Sequence, residues 1–261
     1  MLLFPFLLFS ACVLVALGNQ SFFLIGDSVS ARLYNEGLVQ VFRCLEVDPN
    51  ITFKAETTTT YEFDKGRICT AFNVTRIGYM IHFGVFDSTY HTNWKNHMPE
   101  GGTENSRTNI KLAVKEFQNR TKGTDDTVVF IFLSSLWDIK RYTENNELYH
   151  GAEDWMNNFS DEYTSLMLEL RKMLRKQDSL VIATMHKVLD FDVTPLNERT
   201  LHVARHLRIP VFDQAYLLGP NTTYLADRTH QKPKFSRLLA QNVLANNFNI
   251  IPECVPLVTR K

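Results

Sequence analysis

Continuous apolar runs alternate along this chain with segments in which apolar residues recur at helical spacing. Phe22-Phe23-Leu24-Ile25 is the first run and predicts a buried strand, ended by Gly26-Asp27-Ser28. Residues 30–42 then place Leu33, Leu38, Val41 and Phe42 at helical intervals. Asp48-Pro49-Asn50 predicts a turn, Ile51 to Ala55 a short strand, Thr57 to Thr60 an extended or loop segment, and Tyr61 to Gly66 a loop. The β-branched and aromatic residues of 70–83 predict another strand, whereas 83–106 has no periodicity and predicts a long loop. Arg107 to Phe117 has the spacing of a short amphipathic helix. Thr127 to Leu133 is the strongest strand signal and suits a central parallel strand buried on both faces. Helices are predicted over 155–176, with Leu166, Leu170, Met173 and Leu174 as the apolar stripe, over 195–207, and from Pro233 to Asn247. Between them fall a strand over 180–184 that ends at Met185-His186, and an edge-like strand over 209–213 in which Pro210 removes a ladder donor. Strands separated by helices predict an α/β domain with a mostly parallel sheet, and no linker divides residues 19–261.

Composition narrows the classes. The chain of 261 residues is 44% hydrophobic and 12% aromatic, enough for a sizeable core. Lys+Arg and Asp+Glu both number 28, so no basic surplus points to nucleic acid. Residues 1–18 are apolar except Ser10 and end in Ala16-Leu17-Gly18, which predicts a secretory signal peptide, with a signal anchor as the alternative. No later stretch is apolar enough to span a membrane, so the expected mature chain is secreted or lumenal with no integral membrane segment. Cys12 would leave with the signal, and Cys44, Cys69 and Cys254 would remain. That odd number predicts one disulfide in an oxidising compartment; Cys44 with Cys69 is the local choice among three pairings. Sequons at Asn73, Asn119, Asn158 and Asn221 fit the same route. Neither the cysteines nor His82, His91 and His97 have zinc-ligand spacing, so no metal and no cofactor is expected.

Parallel α/β sheets gather reactive groups at the carboxyl ends of their strands. Ser28, the segment Ser134 to Asp138, His186 and Asp213 all fall at or just beyond predicted strand ends, and Asp227 and His230 lie in the loop before the last helix. A serine at a strand-to-helix turn is either a nucleophile or a helix N-cap, and both readings stand at this point. The nucleophile reading assigns Ser28 the attack, His230 the general base and Asp227 the carboxylate that fixes the imidazole tautomer. Asp27 is expected to accept backbone hydrogen bonds around the turn. His186 is read as a structural histidine, with a place near the site as the alternative. Trp137 and Asp138 are candidates for the pocket wall, with Trp137 equally a core plug. Arg32 either pairs with Asp138 or faces water.

Gly26-Asp27-Ser28 near the start, with Asp227-Arg228-Thr229-His230 near the end, resembles the SGNH/GDSL hydrolase superfamily. The blocks Gly-Asp-Ser-Val-Ser-Ala-Arg-Leu-Tyr at 26–34 and Ser-Leu-Trp-Asp-Ile-Lys-Arg-Tyr at 135–142 resemble its PC-esterase branch, related to glycan O-acetyltransferases and sialic-acid acetylation proteins. The resemblance implies a three-layer α/β/α sandwich and an acyl-enzyme on Ser28, with Asp227 and His230 completing a triad. Members usually add an asparagine from the block after the central strand, and a glycine N–H, to the oxyanion hole. Here that block, residues 132–138, contains no asparagine. The remaining oxyanion candidates are the Ser28 N–H, the Ser134 or Ser135 hydroxyl, and Gly66 or Gly84. Loss of one oxyanion donor costs roughly 3 kcal/mol. Three functions follow as expectations: a secreted serine esterase acting on small, acetyl-like esters of a small molecule or glycan, a glycan O-acyltransferase, and a non-catalytic extracellular binding protein.

Overall fold

The strand predicted around Phe22 lies inside a seven-stranded sheet of order β2-β3-β4-β1-β5-β6-β7. The strands are β1 (Gln20–Gly26), β2 (Leu45–Thr52), β3 (Lys65–Ala71), β4 (Thr75–Ile81), β5 (Thr127–Leu133), β6 (Ser179–Ala183) and β7 (Val211–Phe212). The computed structural model describes residues 20–43, 45–52, 65–71, 75–81, 106–122, 127–133, 138–139, 152–246 and 248. β4, β1, β5, β6 and β7 are mutually parallel, and β2 and β3 extend the β4 side antiparallel.

Alternation along the strands sends side chains to two apolar layers. Phe22 of β1 meets Phe42 on one face, with ring centroids 6.3 Å apart. Its neighbour Phe23 points the other way, 4.6 Å from Phe117 and 5.9 Å from Phe130. The Phe22 side carries α1 (Ser28–Arg32), which continues through a π-helical segment (Leu33–Leu38) into α2 (Val39–Phe42), and α7 (Pro233–Leu244) packs against that rod. The opposite side carries α3 (Ser106–Arg120) and α4 (Ala152–Met173), with α5 (Thr194–Leu207) against α4. A short α6 (Gln214–Leu218) follows β7. The result is a three-layer α/β/α sandwich with a mostly parallel sheet. Gly37 in the π-helical segment allows the rod and α7 to approach closely: a Cβ there would lie 2.6 Å from the Ser236 carbonyl oxygen.

Three expectations are corrected on the antiparallel side. β2 runs through Asp48-Pro49-Asn50 instead of turning there, because irregular pairing between Glu46, Asp48 and Ile51 accommodates a proline on an edge strand. The loop expected up to Gly66 gives way to β3 at Lys65. The single strand expected over 70–83 is two arms, with β3 ending at Ala71 and β4 starting at Thr75. The first helix also departs from a uniform α-helix in its π-helical middle. The leader, Cys44, residues 83–105 of the expected loop, His82, His91 and His97 lie outside the described residues, and Ser106, the last residue of that expected loop, opens α3. Among the described residues no helix is long and apolar enough to cross a membrane.

Candidate active site

The turn after β1 assigns the cap to Asp27. Its backbone is extended (φ −84°, ψ −159°) and its Oδ1 accepts the Val29 N–H at 2.9 Å, satisfying one of the helix's unpaired donors. Ser28 is therefore the first helical residue, and its hydroxyl has a different partner. Of the two readings open for Ser28, the N-cap is overturned by this geometry. The turn is braced from β4: the Tyr79 hydroxyl lies 3.0 Å from the Asp27 carbonyl and 3.3 Å from that of Gly26 and donates toward both. Tyr79 in turn stacks on Tyr34, centroids 5.6 Å apart. Gly26 suits the close approach here, since a Cβ would fall 2.9 Å from Ser30 Cβ and 3.1 Å from Leu133 Cβ.

Across the sheet edge, the loop before α7 brings His230 to Ser28. His230 Nε2 lies 2.9 Å from Ser28 Oγ, and Nδ1 lies 2.9 Å from Asp227 Oδ2. Asp227 Oδ1 also accepts the backbone N–H groups of Thr229 at 2.8 Å and His230 at 2.7 Å. A bridge between Leu225 and Gln231 closes the turn, with the Ala226 N–H donating to the His230 carbonyl at 2.7 Å. Desolvation pushes the Asp227 carboxyl upward, but the N–H groups of His230 and Thr229 and the His230 ring outweigh it and hold the carboxyl well below the usual carboxylate range. An ionised carboxylate takes only donors, so Nδ1 carries the imidazole proton and Nε2 accepts the Ser28 O–H. The arrangement can draw a proton from Ser28 as its oxygen attacks an electrophile.

The segment after β6 holds this turn from behind. His186 is fully buried, and its Nε2–H donates to the Thr229 carbonyl at 2.9 Å. Its ring meets Tyr224 edge-on at 5.5 Å, and the Tyr224 hydroxyl donates to the Lys187 carbonyl at 2.7 Å. Burial, opposed by the Thr229 bond and aided by the nearby His230, pushes the His186 imidazole down to about 4, so the ring is neutral. Burial likewise pushes the Tyr224 phenol up to about 12, against the Lys187 bond. The Leu189 N–H donates to the Arg228 carbonyl at 2.8 Å, and Arg228 pairs with Asp190. Asn197 of α5 grips both backbone groups of Met185, at 2.8 and 2.6 Å, just before His186. Neither the Tyr79 brace nor the bond from His186 to Thr229 has a local sequence signal, because each depends on a partner more than forty residues away.

Other expected positions fall elsewhere. Asp213 caps α6, accepting from Tyr216 N–H at 3.1 Å and the Thr184 hydroxyl at 2.8 Å. Arg32 pairs with Glu36 at 3.1 Å, in place of the pairing with Asp138. Gly66 is corrected as an oxyanion candidate: it sits in the ladder between Ile51 and Met80, with β4 between it and β1. Two strand spacings put it roughly 10 Å from the strand that leads to Ser28. Asp138 is fully buried. Ser134, Ser135, Trp137, Gly84, Asn73, Cys12 and Cys254 lie outside the described residues. Cys69 is in β3 opposite Glu46. Asn119 is exposed on α3, Asn158 half-buried on α4, and Asn221 exposed before Tyr224. Among the described residues no group of three or more His, Cys, Asp or Glu is placed to hold a metal.

No family model and no curated protein matches the chain. Solved structures resemble it at low identity. A member of the lipolytic G-D-S-L family from Veillonella parvula DSM 2008 is 13% identical, covering 87% of this chain and 97% of its own, with a TM-score of 0.42. A peptidoglycan O-acetylesterase is 9% identical over 91% of this chain and 93% of its own, with a TM-score of 0.48. A catalytic mutant of an acetylxylan esterase from Geobacillus stearothermophilus is 11% identical over 87% and 94%, with a TM-score of 0.44. Likeness at this level leaves the α/β assignment resting on the strand order of the chain itself.

Proposed function

We propose that the protein is a serine-dependent acyl-ester hydrolase. The observation that carries the reading is the continuous relay from Ser28 Oγ through His230 to Asp227, with 2.9 Å at each step. Ser28 Oγ attacks the ester carbonyl as His230 Nε2 takes its proton, and Asp227 stabilises the imidazolium that forms. The imidazolium then protonates the departing alcohol and leaves an acyl-enzyme. In the second half His230 removes a proton from water, which attacks the acyl carbonyl and restores Ser28. The Ser28 N–H opens the helix and is one oxyanion donor in this reading, with a hydroxyl of Ser134 or Ser135 as the second.

The substrate class is a small acyl ester, acetyl-like, on a small molecule or a glycan, acted on in the secretory lumen or outside the cell. The resemblance of residues 26–34 and 135–142 to the PC-esterase branch supports it. If a sugar hydroxyl takes the place of water at the acyl-enzyme, the same relay performs O-acyl transfer. The domain assignment, the signal at 1–18, the four sequons and one disulfide among Cys44, Cys69 and Cys254 belong to the same proposal. A second reading, a binding protein that keeps the fold, is favoured by the lack of asparagine in residues 132–138. A panel of short-chain aryl and sugar esters, with Ser28→Ala as control, separates the two. Hydrolysis lost in Ser28→Ala supports the esterase; turnover no greater than the control for every ester supports the binding protein.

A further inference from the structure

We infer that His186 is a positioning residue for His230, acting through the peptide that joins Thr229 to His230. That peptide is held at both ends. Its carbonyl accepts the His186 Nε2–H at 2.9 Å, and its N–H donates to Asp227 Oδ1 at 2.7 Å. The plane so fixed carries the His230 Cα, and the direction in which the imidazole leaves the backbone toward Ser28 Oγ follows from it. Hydrogen bonds in a chain polarise one another, so a donor on the Thr229 carbonyl strengthens the N–H on the other side of the same peptide. His186 and Asp227 thus act on one unit from opposite sides.

A histidine suits this place for three reasons. The Thr229 carbonyl accepts only, which assigns the His186 proton to Nε2. The ring is rigid and fully buried, and it is set edge-on against Tyr224. Its Nδ1 has no hydrogen-bond partner among the described residues, so no competing bond rotates the ring away from Thr229. Asn197 secures the Met185 backbone immediately before it, and the Leu189 N–H, three residues on, reaches the Arg228 carbonyl. The strand end therefore presents the imidazole at a fixed height to the turn. A lysine or arginine in this place would bring a charge into a fully buried position, and a serine would fall short.

The inference rests on the reading of Ser28, His230 and Asp227 as a reaction relay, and its test has a readout that does not need activity. Nitrogen-15 NMR of the full chain at neutral pH reports the His186 tautomer and the His230 Nδ1 proton shared with Asp227, the latter identified by its loss in His230→Gln. The expected results are His186 in the Nε2–H form, and a His230 Nδ1 proton present in wild type and in His186→Gln, whose amide reaches the ε position. In His186→Asn, whose amide is too short, that proton exchanges away. Fluorophosphonate labelling of Ser28 should stay within about threefold of wild type in His186→Gln and fall about tenfold or more in His186→Asn. A His186 found as Nδ1–H in wild type overturns the inference even if neither variant folds. So does a His186→Asn protein with the His230 proton intact and normal labelling. If the His230 proton responds as expected while wild type is never labelled, the positioning role stands and the esterase reading fails.

Discussion

Asp227 holds His230 at two points: Oδ1 accepts its backbone N–H at 2.7 Å and Oδ2 accepts its imidazole Nδ1–H at 2.9 Å. One carboxylate thereby sets both where the histidine starts and which way its proton faces. The three-residue spacing makes this possible, because the turn from Asp227 to His230 folds the backbone N–H groups of Thr229 and His230 onto the same oxygen.

Asp227→Asn separates the two functions. The amide oxygen can still accept the backbone bonds, but its NH2 then faces Nδ1 and favours the tautomer with the proton on Nε2, directed at Ser28. Reaction of Ser28 with a fluorophosphonate should slow by roughly 10³ to 10⁴, with far-UV and near-UV circular dichroism unchanged. A rate near wild type would remove Asp227 from the relay.

Asp27 is the helix cap, and its substitution should register as stability first. Asp27→Ala loses the bond to Val29 N–H and should cost about 1 kcal/mol or more in urea unfolding, whereas Asp27→Asn, which keeps an acceptor, should lie within a few tenths. Equal costs for both would show that the charge, rather than the cap, matters at this position.

Tyr79→Phe removes the hydroxyl that braces the Gly26 and Asp27 carbonyls. The Asp27 carbonyl keeps the Ala31 N–H at 3.0 Å, so the expected loss is modest, about 1 kcal/mol by urea unfolding. Ser28 labelling should slow as the turn loosens. An unchanged midpoint and rate would make the brace irrelevant.

How much of this was legible in the chain depends on whether each signal is local. β1 and β5 are plain as apolar runs because both their faces are buried, and the two proline-led helices α5 and α7 announce their own starts. β2 and β3 are not, because they are an antiparallel extension in which Asp48-Pro49-Asn50 sits in an irregular stretch of pairing and imitates a turn. Gly26-Asp27-Ser28 announces a turn but leaves open which of two adjacent polar residues caps; only the bond from Val29 N–H to Asp27 decides it. Asp213, which also falls at a strand end, is likewise a cap, for α6. The Asp227–His230 pair is visible as a short motif, but its support His186, and the Tyr79 brace under the Ser28 turn, act through tertiary contacts and carry no pattern of their own.

The buried neutral His186 predicts an acid-dependent loss of stability. Its ordinary value is 6.5, reached in the unfolded chain, and burial lowers it to about 4 in the fold. The unfolded state therefore binds the proton first as pH falls. The contribution is full above pH 6.5, declines between there and about 4, and changes no further below. The total is about 3 kcal/mol. Urea unfolding across that interval should show the decline in wild type and a shallower one in His186→Gln. Parallel curves for the two proteins would assign the acid sensitivity to other groups.

The central claim, that Ser28 is a nucleophile driven by His230, is tested most directly by intact-mass analysis after exposure to a fluorophosphonate. The account predicts one adduct per chain, mapped to Ser28, absent in Ser28→Ala and slowed strongly in His230→Ala. No adduct on folded wild-type protein, or one that persists in Ser28→Ala, would contradict it.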